Sequence, residues 1–210
     1  MIEIARAPGE RRGKIVAVDR RDNEAVIRRV LGESYLQLSL VRLAIEEDVH
    51  NGSIVHVVVN EGDQPIEVEG KGVGVVDALY AGLLGRYARE YRSLEGIRLQ
   101  SFHVAADIET KKAQAGVDAV GKVTLDVTNS EGRHFSFSDA SRSITRSTAC
   151  AVLACVQYFV NAERAFLTLH NARKDALARG REDLVARYTA EMAEIVESTS
   201  YAKVIAGTEE

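Results

Sequence analysis

Between residues 36 and 160 the apolar and polar positions follow one pattern used twice. The second copy is the cleaner. Val123, Leu125 and Val127 alternate with Thr124, Asp126 and Thr128, a period of two that gives a strand one apolar and one wet face. Asn129-Ser130-Glu131-Gly132 supplies turn chemistry. Phe135 and Phe137 then alternate with His134, Ser136 and Ser138, as the returning strand of a hairpin does. Upstream, residues 97–108 predict a further strand, separated by a polar loop around 109–116. After the hairpin the period lengthens: Ile144, Thr148, Ala151, Val152, Cys155, Phe159 and Val160 follow helical spacing, with Ser143 placed as the N-cap.

The first copy repeats this order, with strands over 36–46, 53–60 and 65–70 and a helix from about 75 to 91. Val76, Leu79, Tyr80, Leu83, Leu84 and Tyr87 form its apolar stripe. A shift of 69 positions lays 54–60 on 123–129, Ile66 and Val68 on Phe135 and Phe137, Val75 on Ile144, and Leu84 on Leu153. The expected fold is therefore α+β: two tandem βββα units with antiparallel sheets and helices packed on one face, plus extra N- and C-terminal helical segments. The divisions are an N-terminal extension over 1–34 with a short strand and a helix, a first unit over 35–94, a second over 95–162, and a C-terminal helical extension and tail over 163–210. Within that extension Phe166, Leu169, Leu184, Tyr188, Met192 and Ile195 keep roughly helical spacing, with a break at Gly180.

Composition narrows the function classes. A net charge of -4 offers no electrostatic reason for a nucleic-acid partner. The first thirty residues carry eight basic side chains, from Arg6 to Arg29, but five acids are mixed among them, which describes a solvated surface. No run approaches the roughly 20 apolar residues that span a bilayer, and the N-terminus lacks the apolar stretch of a signal peptide. Cytoplasmic residence without a membrane partner is expected. Cys150 and Cys155 lack the spacing of a redox or zinc motif and read as buried free thiols. His50, His56, His103, His134 and His170 are scattered without metal-ligand spacing, so neither metal nor cofactor is expected.

The first copy holds Glu69-Gly70-Lys71-Gly72-Val73-Gly74-Val75-Val76-Asp77-Ala78-Leu79-Tyr80. This resembles the strand-to-helix passage of the C-terminal regulatory domain of 2-isopropylmalate and citramalate synthases, commonly G-x-G-x-G-P-V-D-A, with Val75 standing where that run has proline. Val117-Asp118-Ala119-Val120-Gly121-Lys122-Val123-Thr124 is similar to the family's D-A-x-G-x-V-x-V strand start. Ser143-Ile144-Thr145-Arg146-Ser147-Thr148 matches the family's closing-helix start only in part. The resemblance covers roughly 36–160. It implies a non-catalytic module that dimerises and binds an end-product amino acid, leucine or isoleucine, so as to inhibit a distant catalytic barrel. Nothing in this sequence resembles that barrel, which alone needs more residues than the chain has. The implied partners are a branched-chain amino acid, a second copy in a homodimer, and a separately encoded synthase subunit.

A branched-chain amino acid requires donors for its carboxylate, acceptors for its ammonium and an apolar slot. Gly70, Gly72 and Gly74 permit close backbone approach and lead into a helix N-terminus whose free N–H groups favour an anion. Leu79, Tyr80 and Leu83 are the candidates for the slot, and Asp118, with Ala119 and Val120 beside it, for the ammonium. Each has a bland counterpart: glycines that make a tight turn, leucines and a tyrosine that fill the core, an aspartate that belongs to a turn. A structural dimerisation module without ligand is accordingly the alternative.

Three rivals fit less well. The G-x-G-x-G spacing is not the dinucleotide G-x-G-x-x-G, and its strands read as antiparallel without a crossover helix. A double-stranded-RNA module would place bases where Val73-Gly74-Val75-Val76-Asp77 is apolar and acidic. A small stand-alone enzyme is not supported by any Ser-His-Asp, Cys-His or paired-carboxylate spacing.

Overall fold

The computed structural model describes residues 20–106 and 120–196. The N-terminal helix α1 (Arg20–Leu31) precedes the first unit, made of β1 (Leu38–Asp48), β2 (Gly52–Glu61), β3 (Gln64–Gly72) and α2 (Val75–Ala88). The second unit is β4 (Arg98–Ala106), β5 (Gly121–Thr128), β6 (His134–Ser141) and α3 (Ile144–Ala178), and α4 (Glu182–Val196) follows it. Each unit holds one antiparallel three-stranded sheet in sequential order, β1-β2-β3 and β4-β5-β6. The βββα order expected from the alternation is present twice, with its helices on one face of each sheet.

Burial fixes how the two copies correspond. Val55, Val57 and Val59 are fully buried on the helix side of β2, and Val123, Leu125 and Val127 are fully buried on the helix side of β5. These triplets match one position closer than a 69-residue shift places them. Strand side chains alternate faces, so a slip of one would turn a buried set outward. The returning strands keep the 69-residue shift, since Val68 pairs with Val57 and Phe137 with Leu125. The hairpin loops absorb the difference. The first turns through Gly62 and Asp63, between the paired Glu61 and Gln64. The second is longer, passing from Thr128 to His134 around Asn129, whose Oδ1 accepts from the N–H groups of Glu131 and Arg133.

The helix side of both sheets joins α2 and α3 in one core. α2 lies over β3 and β2, and α3 over β5 and β6; α3 also packs along β1 of the other unit and against α2. Polar side chains buried on α3 secure that crossing. Asn161, with no exposure, accepts from Leu36 N at 2.8 Å and donates to Leu36 O at 2.8 Å. Gln157 accepts from Leu38 N, and the buried Glu163 accepts from Ser93 N.

α3 begins where Ser143 caps it, accepting from Arg146 N. It continues as one helix of 35 residues through position 162. It ends in a glycine stop, with Gly180 at φ +66°, Gly180 N donating to Leu177 O and Arg181 N to Ala176 O. α4 then returns along α3 and α1, and Arg133 reaches its last turn at Val196 O. By length and composition alone α3 is long and apolar enough to cross a membrane. Its most apolar window is 72% buried within the fold, as in a core helix.

Candidate functional site

The turn from β3 into α2 is built by close backbone packing. A Cβ on Gly70 would run into the Ala78 carbonyl oxygen, and one on Gly82 would lie 2.8 Å from Gly70 Cα. Strand and helix therefore touch backbone to backbone where Gly70 meets Gly82. A Cβ on Gly72 would meet the Ala78 nitrogen and, at 2.6 Å, Asp77 Oδ2. Asp77 Oδ2 accepts from Val73 N at 3.0 Å, which fixes the turn and sets a negative charge at the positive end of α2. Gly74 is the N-cap, with extended backbone and open space beside it, and Val73 is 91% exposed.

The other predicted site residues are dispersed. Leu79 and Leu83 have no exposure and belong to the core beneath α2. Tyr80 is half-buried against that core, and its hydroxyl, shielded from solvent, has no hydrogen-bond partner. Burial raises its pKa, with Cys155 adding to the effect and Arg98 opposing it. Val120 is 46% exposed and precedes Gly121, where a Cβ would sit 3.0 Å from Ile144 at the start of α3. Asp118 and Ala119 lie outside the described residues.

An open groove exists where sequence reasoning did not look. A depression of about 360 Å³ lies between β1 and the first turn of α3. Leu40, Leu43 and Ile45 form its apolar wall, and Ser143, Thr145 and Arg146 its polar side. The N–H groups of a helix's first turn have no intrahelical partners, and the helix dipole favours an anion there. Arg146 adds a cation, held 3.8 Å from Asp139 on β6. Wall and donors are some hundred residues apart in the chain. The one local signal was Arg146 itself, a cation in the first turn of a helix, where the dipole disfavours it.

A second depression, about 460 Å³, opens on the outer face of the first sheet. There His56 lies 3.9 Å from Glu46 and 3.8 Å from Glu69, and Lys71 pairs with Glu69 at 3.1 Å. Mixed, exposed charges of this kind describe a solvated face. Among the described residues no cluster of His, Cys, Asp and Glu could hold a metal ion. Neither cysteine forms a disulfide; Cys155 is buried and Cys150 half-buried.

Comparison with known families matches the part of the chain that holds both βββα units. Residues 17–160 match the family model of the LeuA allosteric (dimerisation) domain. The chain belongs to that family. No curated protein matches it. The matched span takes in both sheets, α2 and the first half of α3, so this part of the molecule is a LeuA regulatory and dimerisation domain and not a catalytic one. The second half of α3 and all of α4 lie beyond the match.

Proposed function

We propose that this LeuA-type domain works as a homodimeric, non-catalytic sensor of a branched-chain amino acid and acts on a separately encoded synthase subunit. The observation that carries the reading is the groove between β1 and α3, which offers an apolar wall of Leu40, Leu43 and Ile45 beside Arg146 and a helix N-terminus. An α-carboxylate is suited to Arg146 and the free N–H groups of Ile144 and Thr145. An aliphatic side chain is suited to the leucine and isoleucine wall. The Ser143 and Thr145 hydroxyls on the groove's polar side offer acceptors for an ammonium group. Such a ligand would bridge an edge strand of the first unit and the helix of the second, favouring the arrangement in which the two are apposed.

A second reading has its own support. Packing alone accounts for Gly70, Gly72, Leu79 and Leu83, as a dimerisation scaffold without ligand requires.

Thermal unfolding against leucine, isoleucine, valine and their keto acids separates the two. A ligand at 100 times its dissociation constant stabilises by about 2.7 kcal/mol, a rise of roughly 5–11 °C for a chain of this size. The sensor reading expects one branched-chain amino acid to give such a rise, and Arg146→Ala to abolish it. If millimolar concentrations of every compound leave the melting temperature unchanged, the scaffold reading stands instead.

A further inference from the structure

The chain carries its own template for how one unit meets the next. β1 and β4 are counterparts: each is an edge strand, and each bulges at the same place, after Leu40 and after Leu99. Leu40, Leu43 and Ile45 on the helix side of β1 correspond to Leu99, Phe102 and Val104 on the helix side of β4. α3, the helix of the other unit, runs along this side of β1: Asn161 and Gln157 bond to the backbone of Leu36 and Leu38 just ahead of the strip, and Arg146 faces the strip across the groove. Along β4 no described helix takes that place, and Leu99 remains 36% and Val104 44% exposed.

A helix flank that fits the vacancy exists on α2. The stripe of α3 that faces β1 passes from Arg146 through positions 150 and 154 to Gln157. Its counterparts on α2 are Asp77, Ala81, Gly85 and Ala88, a row with little side-chain bulk. Ala81, Gly82 and Gly85 line a depression of about 290 Å³ between α2 and β3. Every residue lining that depression belongs to the first unit. On β4, Leu99 and Val104 are exposed to either side of Phe102, which is partly buried against the core, and among the described residues a shallow, small-residue flank lies open on α2.

We propose that a second copy of this chain docks on β4, laying the Ala81–Gly85 flank of its α2 over Leu99, Phe102 and Val104, while its own β4 receives α2 of the first. The contact is made twice about a dyad and closes, as an isologous interface does. Four βββα units then form a ring in which every edge strand of this type is covered by the helix of the neighbouring unit. The proposal rests on the homodimer reading above and adds where the two chains meet.

The full chain tests it by light scattering on a sizing column, with disulfide trapping in a Cys150→Ser background. Wild type and the outer-face control Ser136→Asp are expected to run with the mass of two chains. Val104→Asp and Gly85→Arg are expected to run as one chain with unchanged circular dichroism, their dissociation constants raised at least ~100-fold by charge buried without a partner. On oxidation, a mixture of Leu99→Cys chains and Gly85→Cys chains should form covalent pairs, and neither chain should do so alone. Wild type running as a single chain at every concentration would remove the homodimer reading and this proposal with it. A wild-type pair that survives both charged substitutions, or that traps through Leu99→Cys alone, would leave the dimer standing and overturn its location.

Discussion

Gly70→Ala is the substitution that most directly separates packing from ligand binding at the glycine turn. A methyl group there is driven into the Ala78 carbonyl, which is backbone and cannot rotate aside. Relief requires α2 to lift off β3, loosening the core beneath it to which Leu79, Leu83 and Val68 belong. Overpacking against a rigid neighbour sits at the upper end of its range, about 3 kcal/mol. The reduced freedom of the unfolded chain returns roughly 0.5–1 kcal/mol, leaving a net loss of about 2–2.5 kcal/mol. For a chain of this length that lowers the melting temperature by roughly 4–10 °C. Gly85→Ala is the comparison: a helix interior position where a methyl meets nothing of its own chain, so that helix propensity adds about 0.5–1 kcal/mol, less whatever the dimer contact loses. Thermal denaturation followed by circular dichroism, without ligand, measures both. If Gly70→Ala melts within about 2 °C of wild type, the close approach of β3 and α2 is not what the glycine serves. A role in admitting ligand would then be the better account, the more so if the same variant loses its response to amino acids.

Other perturbations test other joints. Asn161→Ala leaves the Leu36 N–H and C=O unsatisfied in the core and should cost about 2–4 kcal/mol, with faster hydrogen exchange at the Leu36 amide. Tyr80→Phe removes a shielded hydroxyl that has no partner, so stability without ligand should hold or rise by up to about 1 kcal/mol. A loss instead would show that the hydroxyl is satisfied in solution. Burial raises the pKa of both Tyr80 and Tyr87 above their ordinary 10.0, and Glu61 adds to it at Tyr87. The fold therefore favours the neutral phenols: their contribution is complete below about pH 10 and is lost as pH rises through the folded values. Urea midpoints measured from pH 8 to 12 should fall only above pH 10, and Tyr80→Phe combined with Tyr87→Phe should flatten that fall.

What was legible in the sequence was whatever leaves a local periodic trace. Val123, Leu125 and Val127 alternate cleanly, Ser143 stands where a cap must, and Gly180 interrupts a helical stripe. The repeat was visible through the same alternation, but its first hairpin strand was set one position off. A longer loop around Asn129 shifts the frame, and only the buried face reveals which of two neighbouring frames holds. Gly82 left no usable trace, because a glycine inside a helix signals nothing until the strand it touches is known. Asn and Glu are residue types mostly found exposed, and nothing local marks Asn161 and Glu163 as buried partners of the Leu36 and Ser93 backbone. The groove at β1 was hidden for the same reason: its wall and its donors are joined only by the crossing of α3 over the other unit.

That crossing also explains why the two units differ. In the first unit, Gly70 and Gly82 let helix and sheet backbones touch, and α2 stops at Ala88, where Arg89 and Glu90 turn polar. The corresponding positions in the second unit are Asp139 and Ala151, whose Cβ atoms forbid so close an approach. Aromatic rings pack further along α3 instead. Phe135 and Phe137 on β6 meet Tyr158 and Phe159 with centroids 5.0–6.1 Å apart, in edge-on and tilted arrangements. Those rings occupy the positions of Arg89 and Glu90 in the other unit, so the helix is anchored where its counterpart ends. Anchored there, α3 carries Gln157, Asn161 and Glu163 to the backbone of both the β1 approach and the loop before β4. One unit thus supplies a rigid beam that spans the pair, and the other keeps a short helix whose outer flank is not covered by the described residues of its own chain. A ligand seated at the first turn of that beam would act on a helix already fixed at its middle. Its effect would therefore fall on the less constrained partner, the edge strand β1, which is why exchange at the amides of 40–45 is the readout most sensitive to effector binding.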